Sequence, residues 1–262
     1  MKLLKIPLNA GALSKRHGLE KGPDKVIEKL KDIYLSEAGI LPLFDIKEIH
    51  VDNSNLGEAH STIQKELEKN NVCSIILGGD HSITYPAFKA FAKHNPGAGI
   101  IVFDAHPDVD VHENNHPPTH EDYLRVLIED KVLDKNNVIL VGIRNACKEE
   151  KEFIEDNKIK NYSMKEISFE SIREVADSVM SVARQWSKVY ISIDIDALDP
   201  AFAPGTGYQE PGGLSTRELI YFIQRLKMLR NIGMFDVVEV NPEKDIQELT
   251  SKVAAKIIAE LN

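Results

Sequence analysis

Short hydrophobic runs rich in valine and isoleucine alternate along the chain with longer segments in which apolar residues recur at helical spacing. The first pattern is typical of buried strands and the second of amphipathic helices, so their alternation predicts an α/β fold with a mostly parallel sheet. Runs such as residues 100–103 and 138–141 are apolar throughout, as expected of strands covered on both faces. The predicted strands are residues 2–6, 45–51, 73–77, 99–104, 137–142, 188–196 and 232–240.

Helical segments between these strands are numerous enough to cover both faces of the sheet. Pro23 marks the start of the first helix, and Ser215 with Glu218 has the Ser-x-x-Glu form of a capping box at the start of another. No repeat, low-complexity segment or Pro/Ser-rich linker interrupts the pattern, so residues 1–262 are expected to form one domain. The predicted helices are residues 24–36, 57–70, 84–94, 119–131, 148–157, 168–186, 215–228 and 247–261.

Charge and composition exclude several classes of protein. The chain carries 41 acidic and 32 basic residues, for a formal charge of −9, and it has no basic block, so no nucleic-acid partner is expected. It has no apolar run near the ~18 residues of a membrane span, and its first residues are charged too early for a signal peptide. We therefore expect a cytoplasmic protein. With only Cys73 and Cys147, a disulfide framework is not expected, and Cys73 is predicted to be a buried apolar residue.

Acidic and imidazole side chains cluster where predicted strands end. Asp104, His106 and Asp108 alternate directly after one apolar run, and Asp194 and Asp196 alternate after another. Ligands of open α/β sheets bind at the carboxyl ends of the strands. If the extended backbone continues past the strand, alternate side chains point to the same side. The two clusters are therefore expected to form one site.

Such a group of carboxylates requires a counter-charge, because repulsion and burial would otherwise neutralise it. A single aspartate is often only a helix cap or turn residue, but two alternating clusters favour metal binding. A mixed carboxylate and imidazole set without thiolates suits Mn²⁺, Zn²⁺, Fe²⁺ or Co²⁺ better than Ca²⁺. Two long loops, residues 105–118 and 197–214, adjoin these clusters and are of a length that is usually functional.

A third strand end reads Gly78-Gly79-Asp80-His81-Ser82, in which the glycines permit a tight turn and His81 begins a helix. In combination, these segments resemble the ureohydrolase family, the arginase and agmatinase group of guanidine-cleaving enzymes. Lys21-Gly22-Pro23 also fits that family. The further matching segments are Asp104-Ala105-His106-x-Asp108, Ser192-x-Asp194-x-Asp196-x-x-Asp199-Pro200, Pro204-Gly205-Thr206-Gly207, Gly212-Gly213-Leu214-Ser215 and Glu239-Val240-Asn241-Pro242 with Asp245.

The resemblance implies a three-layer α/β/α domain and a centre with two Mn²⁺ ions per chain. Two metal ions can activate water at neutral pH, which a poor electrophile such as a guanidinium carbon requires. Asp104 and Asp194 are expected to bridge the two ions. The implied metal ligands are His81, Asp104, Asp108 and Asp194 for one ion, and Asp104, His106, Asp194 and Asp196 for the other.

Three residues are expected to be catalytic by the same resemblance. Glu239 corresponds to the carboxylate that receives the planar guanidinium group, for which a carboxylate is the matching partner. Asp108 is expected to orient the attacking water. His120, at the start of the next helix, is expected to supply the proton that the leaving amine needs. His112 and His116 have no counterpart and are expected to be solvent-exposed.

The substrate is less well defined than the chemistry. In the family that the chain resembles, arginases carry an Asp-rich segment after the corresponding strand end. Here the Gly-Ile-Arg sequence that ends at Arg144 is followed by no carboxylate until Glu149, so the resemblance favours an agmatinase-like enzyme over an arginase. Tyr208, in place of the usual threonine, is expected near the distal end of the substrate, and Asn145 is a second candidate for substrate binding. Agmatine is the first choice. Arginine and guanidino acids are alternatives, which would make the chain an arginase, a guanidinobutyrase or a formimidoylglutamase.

Two readings from other classes remain open. A metabolite-binding homologue would keep the fold without catalysis, although all six metal positions are intact here. A dinuclear site can also hydrolyse phosphate esters, but the acidic surroundings disfavour an anionic substrate. Family members are commonly trimers or hexamers, so a homo-oligomer is expected.

Overall fold

The computed structural model of the chain describes residues 1–13, 17–69, 74–113 and 115–262. Within this part of the chain, eight strands form one sheet. They are β1 (Lys2–Ile6), β2 (Asp45–Glu48), β3 (Ser74–Gly78), β4 (Gly99–Phe103), β5 (Val138–Val141), β6 (Lys160–Tyr162), β7 (Val189–Asp194) and β8 (Ile232–Val238). Their order is β2-β1-β3-β8-β7-β4-β5-β6, and all neighbours are parallel.

Nine α-helices connect or flank these strands in the described residues. Ser215 caps α8 with Glu218 in the predicted capping box, and proline occupies the first turn of α1. The helices are α1 (Gly22–Leu30), α2 (Leu56–Glu68), α3 (Thr84–His94), α4 (Tyr123–Glu129), α5 (Lys148–Asn157), α6 (Met164–Phe169), α7 (Ile172–Ala183), α8 (Thr216–Leu226) and α9 (Leu249–Leu261).

The side chains of each central strand alternate between two hydrophobic layers. In β4, Ile101 and Phe103 pack with α1 and α6 to α9, whereas Ile100 and Val102 pack with α2 to α5. Because side chains in a strand point alternately to opposite faces, a strand covered on both faces must be apolar at every position. The apolar runs in the sequence have this cause, and the predicted three-layer α/β/α architecture is confirmed.

The topology places the functional segments side by side. Strands β3, β8, β7 and β4 are neighbours in the middle of the sheet, although they are far apart in sequence. All strands are parallel, so the residues that follow these four strands meet at one edge.

Several predicted strands were too long at their carboxyl ends. The strand predicted at 188–196 ends at Asp194, and the one predicted at 232–240 ends at Val238. Residues 195–197 form a 3-10 turn, and Glu239 has a positive φ of 64°. These residues leave the sheet because they build the site, so the apolar pattern continues further than the ladder of hydrogen bonds.

The helix predicted at 168–186 corresponds to α7, which begins at Ile172 and ends at Ala183, and it overlaps only the last two residues of α6, most of which was not predicted. Ser171 caps α7 with Glu174, and Ser163 caps α6 with Glu166, each in a capping box. The extended backbone of Glu170 and Ser171 separates the two helices. The apolar spacing persists across this break, which is why the predicted helix began at 168, before the cap of α7.

Other boundaries also differ from the predictions. The first helix ends at Leu30 rather than at residue 36, and the helix predicted from 119 begins at Tyr123. Strand β6 was not predicted, because three mostly polar residues at a sheet edge carry no pattern of alternation. Cys73 lies outside the described residues, so its predicted burial is not addressed. None of the described helices combines the length and apolar character needed to cross a membrane.

His60 on α2 is a buried polar residue that the sequence pattern did not predict. Its Nε2 atom lies 3.2 Å from the Ser82 hydroxyl oxygen, and its Nδ1 atom is buried without a hydrogen-bond partner. Burial, assisted by the charge of Lys89, lowers the pKa of His60 to about 4. The ring is therefore neutral in the folded protein near neutral pH.

This burial predicts a specific pH dependence of stability. Between pH 6.5 and about 4, His60 is neutral in the folded chain but protonated in the unfolded chain, so stability falls as the pH falls through this window. At 1.36 kcal/mol per pKa unit, the loss approaches about 3 kcal/mol. Urea unfolding of wild type and His60→Gln from pH 7 to pH 4.5 should show a steeper loss for wild type. Parallel pH profiles of stability for the two proteins would show that burial does not lower the pKa of His60.

Candidate active site

The structure brings together all six residues that the sequence proposes as metal ligands. His81 follows β3, Asp194 ends β7 and Asp196 lies in the next turn. Asp104, His106 and Asp108 follow β4. Five of the six are buried, and the His106 side chain is 19% exposed. They lie at the carboxyl edge of the sheet, as the parallel topology requires.

One group forms around His81. Its Nδ1 atom lies 3.1 Å from Asp104 Oδ2, 3.0 Å from Asp108 Oδ2 and 3.3 Å from Asp194 Oδ2. The other ring nitrogen, Nε2, lies 2.8 Å from the hydroxyl oxygen of Ser192. That hydroxyl donates its own hydrogen to Asp236, so it accepts a hydrogen from Nε2. In a neutral His81 ring with its hydrogen on Nε2, the lone pair of Nδ1 faces the three carboxylates.

A second group forms around His106. Its Nδ1 atom lies 3.0 Å from Asp196 Oδ2 and 3.5 Å from Asp104 Oδ1. Asp104 thus belongs to both groups, with one oxygen towards each histidine. This shared position is the geometry expected of a bridging carboxylate.

Backbone amides fix the orientation of these carboxylates. Asp104 accepts a hydrogen bond from His106 N through Oδ1, and Asp194 accepts one from Asp196 N through Oδ1. Asp196 accepts one from Ala105 N, also through Oδ1. In each case, Oδ2 remains free to face a histidine. The turns after the strands therefore aim one oxygen of each of these three carboxylates into the site.

The expectation of an extended backbone through residues 104–108 is wrong. Asp108 has a positive φ of 52°, and no strand continues past Phe103. The side chains nevertheless converge, because the amide of His106 bonds back to the Asp104 carboxylate and turns the chain. Convergence arises from a tight turn rather than from strand alternation.

The electrostatics of the two groups favour positive charge. Burial raises the pKa of Asp108 and Asp194, and the neighbouring carboxylates raise it further. Burial lowers the pKa of His106, but the bonds to Asp104 and Asp196 outweigh it and raise the pKa to about 12. The nitrogen His81 Nδ1 and the oxygen Asp104 Oδ2 are buried without a hydrogen-bond partner. These orphaned atoms, with carboxylate and imidazole donors around them, fit a pair of divalent cations.

Glu239 lies beside these groups and is buried at 3% exposure. Its Oε1 atom accepts a hydrogen bond from His81 N at 2.9 Å and lies 3.2 Å from His120 Nδ1. Burial opposes ionisation of Glu239, but the bonds from His120 and the His81 amide outweigh it and lower the pKa. The solvated strand-end position that a lone glutamate would suggest is therefore excluded, and a buried negative charge is available here.

The three loop histidines occupy different environments. His120 is buried and lies in the turn before α4 rather than in the helix, contrary to the prediction. His116 is 70% exposed, as expected. His112, expected in solvent, instead contacts Asp122 at 2.6 Å with an 11% exposed side chain. The carboxylate ten residues further on was not identifiable as its partner, because the loop between them has no regular pattern.

A cavity of about 320 Å³ opens above the two groups. Tyr208 lines it, with its hydroxyl donating to Glu121 at 2.7 Å and its ring 6.2 Å from that of His120 and parallel to it. Asn145 also lines it and donates to Glu210 Oε1 at 2.8 Å. Both predicted substrate-binding residues thus lie in the cavity wall, each bonded to a glutamate.

The carboxylates of this wall were missed by sequence reasoning. Asp110, Glu121, Glu150 and Glu210 line the cavity, and no lysine or arginine does so among the described residues. They come from three separate segments, and their meeting depends on how the loops fold. The only signal was the position of Glu210 between the two matching segments 204–207 and 212–215.

Comparison with known proteins gives the family. The sequence model of the arginase family matches residues 1–262. The arginase of Staphylococcus aureus (strain MSSA476) is 31% identical over 272 aligned residues, covering 92% of this chain and 90% of that protein. The chain belongs to the arginase family. Members of this family are metal-dependent ureohydrolases, so the predicted enzyme class is confirmed.

Solved structures of the arginase family agree with this architecture. The formimidoylglutamase from Bacillus subtilis subsp. subtilis str. 168 superimposes with a TM-score of 0.93 at 26% identity, covering 99% of this chain and 85% of that one. The proclavaminate amidino hydrolase from Streptomyces clavuligerus gives 0.91 at 28% identity, covering 99% and 89%. The names of these relatives refer to different substrates, so the family defines the reaction class and leaves the substrate open.

Arg144 holds the loop that carries Glu210 in this arginase-family chain. Its guanidinium donates to the backbone carbonyl of Glu210 at 3.0 and 2.7 Å, and to that of Asp196 at 2.6 Å. It also reaches the carbonyl of Leu198. A fork of five donors matches this set of carbonyls, which a single ammonium cannot. Arg144 therefore connects the turn at Asp196 to the cavity wall.

This geometry predicts that Arg144→Lys loosens the loop at 197–214. Losing several charge-assisted hydrogen bonds should destabilise the protein by about 2 kcal/mol and speed proteolytic cleavage within that loop. Thermal unfolding and limited proteolysis measure both effects. Arg173→Lys, at an exposed position on α7, is the matched control. Equal stability and cleavage in the two variants would contradict the role of Arg144.

Proposed function

We propose that the protein hydrolyses a guanidino compound that carries a second positive charge, with agmatine cleaved to urea and putrescine as the preferred reaction. The observation that carries this proposal is the cavity wall, where Asp110, Glu121, Glu150 and Glu210 surround the approach to the metal-ligand cluster. A dication can be stabilised at its guanidinium end by Glu239 and at its other end by the carboxylates of this wall.

The metal ligands are proposed to be the six residues of the two groups, with Mn²⁺ as the native ion. Carboxylate and imidazole donors suit Mn²⁺, and neither ligand group contains a cysteine. When bound, a pair of divalent ions lowers the pKa of water and so provides a nucleophile at neutral pH. The residues are His81, Asp104, His106, Asp108, Asp194 and Asp196.

The chain's own residues orient the reactants. Glu239 is proposed to hold the guanidinium, because its buried, ionised carboxylate matches a planar cation with a fork of donors. Asp108 is proposed to accept a hydrogen from the attacking water. His120, with Nδ1 directed to Glu239, is proposed to supply the hydrogen that the departing amine needs.

Arginine is the second candidate, favoured by the relatives named arginase. Arginine differs from agmatine by an α-carboxylate, and that group would meet the acidic cavity wall. No lysine or arginine among the described cavity-lining residues faces it. An unpaired anion held away from water is costly. The same wall argues against guanidino acids and phosphate esters.

Three further properties stay proposals that the family resemblance supports. We propose that residues 1–262 form one domain, that the protein assembles as a trimer or hexamer, and that it acts in the cytoplasm. Size-exclusion chromatography with light scattering tests the assembly. A purely metabolite-binding role is disfavoured by the intact metal-ligand set and by the ionised Glu239 beside it.

Metal content tests the proposed centre. Wild-type protein should bind two Mn²⁺ ions per chain, and Asp194→Asn should bind less than one, because an amide cannot replace a charged ligand. Its kcat should fall at least about a hundredfold. Elemental analysis and a urea assay measure these effects, with the exposed Asp32→Asn as control. Two tightly bound ions and normal activity in Asp194→Asn would refute the assignment.

The substrate is tested by a panel of agmatine, arginine, guanidinobutyrate, guanidinopropionate and formiminoglutamate, with formamide assayed for the last. Agmatine should exceed arginine by about tenfold or more in kcat/KM, roughly 1.4 kcal/mol. Glu210→Gln should reduce the preference for agmatine over guanidinobutyrate, whereas the 86% exposed Glu113, changed to Gln, should not. If arginine exceeds agmatine tenfold, the family assignment stands but the agmatine proposal is wrong.

A further inference from the structure

The carboxylate of Asp80 is fully buried yet belongs to neither metal group. Its Oδ2 atom accepts a hydrogen bond from Gly11 N at 2.9 Å. Its Oδ1 atom accepts one from Ser82 N at 2.9 Å and another from the Ser82 hydroxyl. A buried carboxyl group that accepts three hydrogen bonds holds its partners firmly, because leaving a buried donor or acceptor without its bond is costly.

The segment that Asp80 holds, residues 9–13, also holds His120. The amide of His120 donates to the carbonyl of Gly11 at 3.2 Å. The amide of Leu13 donates to His120 Nε2 at 3.1 Å. The two backbone groups of Gly11 therefore connect Asp80 on one side to His120 on the other.

The bond from Leu13 determines where His120 carries its hydrogen. A ring nitrogen that accepts a hydrogen from a backbone amide cannot itself be protonated. The hydrogen of a neutral His120 ring therefore resides on Nδ1, which lies 3.2 Å from Glu239 Oε1. The backbone thus selects the tautomer that points its hydrogen towards Glu239, the proposed partner of the guanidinium.

Residues 9–13 pack so closely against Asp80 that they can adopt only one position there. A Cβ atom on Gly11 would come within 2.1 Å of Ser82 Oγ and 2.6 Å of Asp80 Oδ1. A Cβ atom on Gly79 would come within 1.8 Å of the carbonyl oxygen of Leu8. Glycine at these two positions is therefore required for the contact.

We propose that Asp80 is a positioning residue that acts on His120: it anchors residues 9–13, and their backbone orients the His120 ring and places its hydrogen on Nδ1. This inference rests on the proposed function only in assigning His120 a part in catalysis. Asp80→Asn preserves the shape but presents an amide N–H to one of the donors that the carboxylate accepts, so the segment is released.

A double-mutant cycle tests this action through His120. Asp80→Asn alone should lower kcat about tenfold or more while two metal ions per chain are retained. In the background of His120→Asn, the same change should lower kcat less than about twofold, because the residue it positions is absent. Equal losses in both backgrounds would overturn the proposal. Loss of metal in Asp80→Asn would also overturn the proposal, because Asp80 would then act by supporting the neighbouring His81.

A second variant covers the case in which Asp80→Asn does not fold. Gly11→Ala displaces the same segment by steric contact and should show the same dependence on His120 in the cycle. Gly57→Ala is the matched control, because a Cβ atom there meets nothing closer than 3.4 Å. A Gly11→Ala effect that is equal with and without His120 would overturn the proposal.

A measurement independent of substrate separates this inference from the proposed function. In protein loaded with diamagnetic Zn²⁺ and labelled with ¹⁵N-histidine, the His120 resonances, assigned by their loss in His120→Asn, should report hydrogen on Nδ1. In Asp80→Asn or Gly11→Ala, this tautomer should be lost. Retention of the tautomer in both variants would overturn the inference whichever guanidino compound is hydrolysed. A tautomer shift without agmatine hydrolysis would leave the inference intact and refute only the substrate.

Discussion

Mutual repulsion among five buried carboxylates, Asp104, Asp108, Asp194, Asp196 and Glu239, is the constraint on which the rest of the structure depends. In a flexible peptide these groups would turn towards water, so the fold must hold them at one edge of the sheet. Parallel strands provide the edge, and backbone amides bind one oxygen of most of these carboxylates. The remaining oxygens face inward, where only cations can stabilise them.

A second layer of polar groups beneath the site keeps His81 in place. Asp236 is completely buried and accepts hydrogen bonds from the hydroxyls of Thr84, Tyr190 and Ser192. Ser192 in turn contacts His81. The orientation of the His81 imidazole is therefore set by the Asp236 carboxylate, two hydrogen bonds away. The clustered histidine and aspartate side chains are therefore the inner part of a larger network that extends into the sheet.

The sequence was most informative where burial imposes a pattern. Continuous apolar runs identified the central strands because both faces are covered, and the acidic residues after them pointed to the cluster that is proposed to bind metal. The sequence was least informative where the conformation of loops determines the contacts. The pairing of His112 with Asp122, the break between α6 and α7, and the carboxylates of the cavity wall depend on contacts between segments that have no periodic signal.

Residues next to the recognised motifs were also hard to interpret. Asp80 lies beside His81 and looks like a simple capping residue in the sequence, which is one of its roles. Its bond to Gly11, 69 positions away, is invisible without the fold. Likewise, Glu210 lies in the long loop between two matching segments, but its contact with Asn145 depends on how that loop returns to the site.

The central position of β8 has a consequence for how the protein is made. This strand is the last of the described strands in sequence, yet it lies between β3 and β7. As the chain leaves the ribosome, β2-β1-β3 and β7-β4-β5-β6 can form only as two separate half-sheets, each with an open edge. Open edges of this kind invite incorrect pairing and chaperone binding. A nascent chain halted before residue 232 thus contains all six proposed metal ligands, but the two half-sheets that carry them are not yet joined into one site.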